Sequence, residues 1–427
     1  MSSADVTPDA PPLPSSPSPR VPGRFLGPLL VGNLAMFGLF QGIQQILLPG
    51  QVADIDPAGK VAAYGVLASL GAGVAAVGNP LFGALSDRTR GRFGRRAPWL
   101  LASAIVAFLA MLLLGGMGSL FTLGVVYVAV MAAMSAYQAV IGALVPDRVP
   151  EARRGLVSSL VGVATTVGVL LGVNGASALA GNRIAGYAVL GAVLVVATIL
   201  LVTLSRDPVP TAAAAAADTG HVPLLVRLGR FFSGLADRDF RWAFVARVLM
   251  MAGYWTINTY LLYTLTDYIG AEAIPAGDAS AAVATLATVS MVTMFVTTLF
   301  SGALSDRLNR RKAFVIVSSM GMAAAAVIPL VWPTWTGMLL YSALSGLFFG
   351  IYGAVDQAIM TLVLPKAENS GRDLGLLNVA TTGPQIAGPF IAAAIIGLTG
   401  GYGGLFAFVI VTALLGAVAI VPIRKIR

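Results

Sequence analysis

Twelve apolar runs, each close to the length needed to cross a bilayer, fix what this chain can fold into. They lie at 25–49, 60–86, 97–117, 119–146, 154–180, 186–204, 240–269, 279–304, 313–333, 335–364, 371–398 and 402–423. A spanning helix needs about 20 mostly apolar residues. The rest of the chain cannot hide so much apolar surface from water: 57% of its residues are hydrophobic and 11% are charged, against roughly 25% charged in soluble domains. The bilayer is the expected solvent, and an all-α membrane protein with twelve transmembrane helices is the expected fold.

What lies between the runs sets organisation and orientation. Residues 1–23 are rich in proline and serine and read as a disordered cytoplasmic tail, not a signal peptide. Two six-helix halves, 24–204 and 240–427, flank a polar cytoplasmic linker at 205–239. Alternation of the loops puts 24 of the 27 Lys and Arg residues on one face; only Lys60 and Arg183 fall on the other, and Arg247 falls inside a run. By the positive-inside rule the rich face is cytoplasmic, so both termini are expected there, in a multi-pass protein of the plasma membrane. Those loops meet anionic lipid headgroups, which accounts for the net charge of +9 without nucleic acid. With no cysteine and a single histidine, neither disulfides nor a metal site is expected.

The chain also repeats itself. Gly-Ala-Leu-Ser-Asp-Arg occurs at Gly83 to Arg88 and again at Gly302 to Arg307, an offset of 219 residues. Tyr137-Gln138-Ala139 through Pro146 aligns with Asp356-Gln357-Ala358 through Pro365 at the same offset. Six spans per half give both halves one orientation, so the repeats are parallel, related by an axis along the membrane normal.

These motifs resemble the major facilitator superfamily, whose loop after span two reads Gly-x-x-x-Asp-Arg-x-Gly-Arg-Arg. The second half here reads Gly302-Ala-Leu-Ser-Asp306-Arg307-Leu-Asn309-Arg310-Arg311, with asparagine where glycine is usual. The first half inserts four residues between Asp87-Arg88 and Gly94-Arg95-Arg96, a longer form similar to that of the glycoside–pentoside–hexuronide:cation symporters and the sucrose-transporter-like branch. The resemblance implies a cytoplasmic gate built from Gly83, Asp87, Arg88, Arg95, Arg96, Gly302, Asp306, Arg307, Arg310 and Arg311. A carboxylate near helix N-termini of the opposite half gains from their dipoles while arginines orient it, so the gate would favour the state closed on that side. The glycines would permit close helix packing. The competing reading is that the arginines only hold the loops inside. Span two carries Asn79 where sodium-coupled members carry aspartate, which counts against sodium.

Two charges lie deep inside spans, Arg247 in span seven and Asp356 in span ten, at similar depth from the same face, so they can meet. Charges in that position are functional by default. Asp356 is the expected proton carrier and Arg247 its modulator; the alternatives are a snorkelling arginine and a purely structural carboxylate. The superfamily lines its central cavity with spans one, four, seven and ten, so the resemblance implies that both charges face it. Polar and aromatic stripes on those spans nominate Asn33, Gln41, Gln44, Tyr127, Tyr137, Gln138, Tyr254, Trp255, Asn258, Tyr352 and Gln357 as substrate-binding. Amides bond hydroxyls and rings cover sugar C–H faces, although amides also glue helices together.

The expected function is secondary active transport by alternating access: proton-coupled uptake of a sugar or glycoside, or, alternatively, proton-antiport efflux of a drug or amphiphilic natural product. The partners would be a small-molecule substrate, protons and the lipid bilayer, with the chain acting as a monomer. No cofactor is implied. With no nucleophile–base pair or metal constellation, an enzyme is not expected.

Overall fold

The structure is a computed structural model that describes residues 23–89, 94–205, 233–308, 310–363 and 370–424. The expected tail, the four-residue insert at 90–93, most of the linker and Asn309 lie outside the described residues, as do the side chains of Asp306 and Gln357.

Among the described residues, twelve long helices occupy the expected places: α1 (Gly23–Ile55), α2 (Lys60–Arg88), α3 (Ala97–Gly115), α4 (Leu120–Arg148), α5 (Glu151–Ala178), α6 (Arg183–Leu204), α7 (Arg238–Thr259), α8 (Ala279–Leu308), α9 (Arg311–Val331), α10 (Trp335–Val363), α11 (Ser370–Thr399) and α12 (Gly403–Ile420). No strand occurs among the described residues. Eleven of the twelve are long and apolar enough to cross a membrane on that count alone; α7 is diluted by Arg238, Asp239, Arg241 and Arg247. Helix starts are set locally by caps. Asn182 Oδ1 accepts from the Ala185 amide at 3.1 Å, Asp237 Oδ1 from Phe240 at 3.0 Å, and Asp278 Oδ1 from Ser280 and Ala281 at 2.9 and 3.0 Å.

Packing repeats with the sequence. In the first six helices α1 packs on α5 and α6, α2 on α4, and α3 on α4 and α6. Six helices later the same pairs recur: α7 on α11 and α12, α8 on α10, and α9 on α10 and α12. The halves meet through α2 against α11 and α5 against α8. The outer surface is apolar, with Phe121 and Leu398 80% and 88% exposed, which suits hydrocarbon rather than water.

Glycines set how closely helices approach. Gly38 and Gly42 on α1 face Gly168 and Gly172 on α5; a Cβ on Gly38 would stand 2.7 Å from the Gly168 carbonyl oxygen, and one on Gly42 2.7 Å from that of Gly172. The motif glycines behave otherwise. A Cβ on Gly83 or Gly302 would meet only an alanine methyl, Ala139 at 3.9 Å or Ala354 at 4.0 Å. The close packing expected of these two is therefore not what the fold uses; α2 and α8 already stand a methyl's width from their partners there.

Two helices depart from regularity at matching places. α1 runs six residues past its expected end at 49 and contains a π-helical turn, Ile43–Leu47. The expected seventh span, 240–269, ends as an α-helix at Thr259, breaks at Tyr260 and continues as Leu261–Tyr263 and a π-helical turn, Thr264–Gly270. A π turn takes up an extra residue and re-aims the side chains around it.

Candidate functional site

A cavity of about 330 Å³ lies between the halves. α1 supplies Phe37, Phe40, Gln41, Gln44 and Gln45; α4 supplies Met131 and Gln138; α7 supplies Tyr254, Trp255, Asn258 and Thr259. Tyr64 from α2, Thr165 from α5 and Gln385 from α11 complete its polar lining. The π turn in α1 is what brings the adjacent Gln44 and Gln45 to one wall. None of the lining side chains is charged. The polar wall consists of amides and hydroxyls, and the rest is ring and methyl.

The amides have fixed neighbours. Asn79 Nδ2 donates to Gln138 Oε1 at 3.0 Å, so the span-two asparagine sits one layer behind the cavity. Asn258 Nδ2 donates to its own helix at the Tyr254 carbonyl, 2.8 Å. The Tyr254 ring stacks on Phe349 at 4.1 Å between centroids and meets Trp255 edge-on.

Of the residues nominated from sequence, Gln41, Gln44, Gln138, Tyr254, Trp255 and Asn258 are brought together here. Asn33, Tyr127, Tyr137 and Tyr352 are not. Asn33 is buried and donates to the Leu29 carbonyl one turn back at 2.9 Å. The Tyr127 ring fills the notch left by Gly71, whose Cβ would lie 2.7 Å from it. The Tyr137 hydroxyl accepts from Thr198 on α6 at 3.1 Å. Helical spacing places these residues on the right helices, but it does not say which stripe faces the other half.

The in-membrane charges do meet, away from the cavity. Arg247 Nη1 lies 3.1 Å from Asp356 Oδ2, Arg247 Nε donates to Thr381 Oγ1 at 3.1 Å, and the Tyr352 hydroxyl donates to Asp356 Oδ1 at 2.9 Å. Arg247 and Asp356 are only 8% and 5% exposed, and neither lines the cavity. The expectation that both face it is corrected: no residue of α10 is among the residues lining this cavity, and the α10 ring Phe349 stacks on the α7 ring Tyr254 instead. Thr381 was not nominated; nothing in its sequence neighbourhood marks it.

At the arginine-rich end Asp87 Oδ1 pairs with Arg96 Nη2 at 2.7 Å and lies 3.9 Å from Arg95. Both arginines also hold Asp147 at the end of α4, at 2.6 and 2.9 Å, and Arg96 bonds Ser86. In this conformation the pair ties α2 to α4 within one half, and the Asp87 side chain is 56% exposed. Arg88, Arg307 and Arg310 are exposed, and Arg311 is half-buried. Asp147 was missed, although an aspartate directly after an apolar run on the arginine-rich face is a signal that could have found it.

The hydrogen bonds and ion pairs described between the halves lie at the other end. Tyr260 donates to the Val61 carbonyl at 2.7 Å, Tyr263 to that of Pro49 at 2.8 Å, Lys60 pairs with Asp267 at 2.8 Å, and Asn174 bonds Thr288 at 3.1 Å. A Cβ on Gly65 would stand 2.6 Å from the Tyr260 hydroxyl oxygen, so glycine there lets the ring cross over. Tyr64 meets Tyr260 and Tyr263 edge-on, and those two rings pack tilted against each other, so the three form the roof of the cavity.

Comparison with known proteins agrees with this architecture. No curated protein sequence matches the chain. Among solved structures, the nucleoside transporter NupG (D323A mutant) superposes with a TM-score of 0.72 at 14% identity, covering 93% of this chain and 99% of the other. A bacterial homolog of the human lysosomal transporter Spinster, inward-facing and unoccupied, gives 0.64 at 14% identity over 95% of each chain, and its occupied form gives 0.63 at 14% over 93% and 96%. These likenesses speak for the fold. The profile of the family described as MFS/sugar transport protein matches residues 59–405. A transporter, not an enzyme, with its cavity between two parallel six-helix repeats, the chain belongs to the MFS/sugar transport protein family.

Proposed function

We propose that this protein is a secondary active transporter that moves an uncharged, hydroxylated molecule, a sugar or glycoside, by proton-coupled uptake. One observation carries the reading: a cavity between the halves walled by amides, hydroxyls and rings, with no charged side chain in its lining. Amides such as Gln41, Gln138 and Asn258 both donate to and accept from hydroxyls, and Trp255 and Tyr254 offer faces to apolar C–H groups. A cationic drug would find no carboxylate there, which favours the sugar over the efflux reading. A nucleoside is also uncharged, hydroxylated and ring-bearing, and one structural neighbour is a nucleoside transporter.

On this reading the halves at 24–204 and 240–427 rock about the cavity, joined by a linker at 205–239. The arginine-rich face is cytoplasmic, both termini lie there, the membrane is the plasma membrane and the monomer suffices. The described interhalf bonds gather at the opposite end, which fits a state open toward the cytoplasm. Asp87, Arg95 and Arg96 would serve as gate groups that re-pair when the inner side closes. Asp356 would carry the proton, with Arg247 and Tyr352 as its partners in the two charge states.

The test is accumulation by proteoliposomes across a panel of disaccharides, nucleosides and cationic drugs, under imposed pH or sodium gradients. Accumulation of a neutral hydroxylated member under a proton gradient alone is the expected result. Gln138→Ala and Asn258→Ala are each expected to raise the KM about tenfold, the worth of one hydrogen bond of about 1.5 kcal/mol. Accumulation of the cationic members alone would overturn the sugar reading in favour of antiport efflux. Dependence on sodium alone would remove the proton.

A further inference from the structure

Lys60 and Arg183 are the two basic residues of the arginine-poor end, where insertion disfavours such residues, and both are paired with carboxylates. The two pairs differ in one respect. Arg183 meets Asp54 at 2.6 Å within the first half, whereas Lys60 meets Asp267 at 2.8 Å across the halves. We propose that Lys60 and Asp267 form a latch that holds the arginine-poor entrance shut and must release for the cavity to open there.

The geometry suits a contact made and broken repeatedly. Lys60 is the first residue of α2, and Asp267 sits in the π-helical turn beyond the break in α7. Asp267 is already held by its own half: the Tyr402 hydroxyl donates to Oδ2 at 2.7 Å and Thr266 Oγ1 to Oδ1 at 2.8 Å. Its carboxylate therefore keeps two donors when Lys60 leaves. Lys60 also stands 5.0 Å from the centre of the Tyr263 ring, which gives the ammonium a second attraction to the opposite half. The lysine side chain is 18% exposed and the aspartate 31%, so the pair is better shielded than Arg183 with Asp54 at 33% and 66%. Such shielding makes an ion pair worth more than the near-zero value typical of exposed ones. The tyrosine bonds to Val61 and Pro49 flank it, so the ion pair and these two bonds must part together for the roof to open.

This inference rests on the alternating-access reading, and the experiment separates the two. The chain has no cysteine, so one reporter thiol at Ala68, on the cavity wall, is unambiguous. A membrane-impermeant maleimide is applied to sealed vesicles of each orientation. A parent labelled from both faces establishes alternation; labelling from one face only contradicts that reading, and the latch with it. Given alternation, Lys60→Gln and Asp267→Asn are each expected to raise the rate from the arginine-poor face about three- to tenfold, the effect of losing a partly shielded pair. Tyr402→Phe, a milder change that keeps the ring, should raise it less. Arg183→Gln and Asp54→Asn should leave it at the parent value, and the exchange Lys60→Asp with Asp267→Lys should return it toward that value. Unchanged rates in the Lys60, Asp267 and Tyr402 variants overturn the latch. So does an equal rise in the Arg183 and Asp54 variants, or an exchange that restores nothing. Monodispersity and melting temperature of each variant check folding, and Tyr402→Phe carries the test if the charge variants fail to fold.

Discussion

Gly172→Ala is expected to destabilise the protein by about 3 kcal/mol and to cut the yield of monodisperse material, while Gly175→Ala on the same helix is not. A Cβ on Gly172 would overlap the carbonyl oxygen, carbonyl carbon and Cα of Gly38. These are backbone atoms of the neighbouring helix, so no side chain can swing away. Relief requires α1 and α5 to part, and the two contacts one turn along, Gly38 on Gly168 and Gly42 on Gly172, part with them. At Gly175 nothing lies within 4 Å of the added methyl. There the helix gains up to about 1 kcal/mol from the better propensity of alanine. The two substitutions therefore carry opposite signs three residues apart. Thermal unfolding in one detergent, with both variants purified in parallel, reads the difference; equal midpoints would mean that α1 and α5 are not in backbone contact. The consequence reaches the cavity, because the glycine contact on α1 lies directly ahead of the π turn that aims Gln44 and Gln45.

The fold was legible because bilayer physics reduces it to the length and spacing of apolar runs. Eleven of the twelve expected spans are single long helices and the seventh breaks once, at Tyr260; the duplicated hexapeptide announced a pairing scheme that repeats six helices later. The site was half legible. Amides on α1, α4 and α7 could be found by helical spacing, since polar groups in hydrocarbon must face protein or a cavity. Which of those two they face is decided by rotation of each helix about its axis, and a stripe leaves that open. Hence Tyr137 and Tyr352 read like Tyr254 in the sequence, yet they bond Thr198 and Asp356 inside their own halves. The Lys60–Asp267 pair was beyond reach for another reason. The two stand 207 residues apart, at the ends of their apolar runs, and Asp267 lies in a π-helical turn beyond a break that no sequence pattern announces.

Asp356→Ala is expected to cost about 3–5 kcal/mol and to abolish gradient-driven accumulation, because it leaves the Arg247 guanidinium buried without its carboxylate. Loss of transport in that variant alone says nothing about coupling, since a damaged fold would do the same. The informative variant removes both charges. Arg247→Met with Asp356→Leu replaces the pair by apolar groups of similar bulk, a change that is often neutral or stabilising for buried pairs. Its melting temperature is expected to return to about that of the parent. The Tyr352 hydroxyl and Thr381 Oγ1 lose a partner each, which sets an upper limit on the recovery. If Asp356 is the proton carrier, this refolded variant still exchanges substrate down its concentration gradient but no longer accumulates it against one when a pH difference is imposed. If the pair is structural, the double variant accumulates like the parent, and coupling must be sought elsewhere. That neither member lines the cavity sharpens the choice. A carboxylate that does not touch the substrate can act on it only through the α7–α10–α11 packing, so neutralising it should change accumulation and leave the KM for exchange near its parent value.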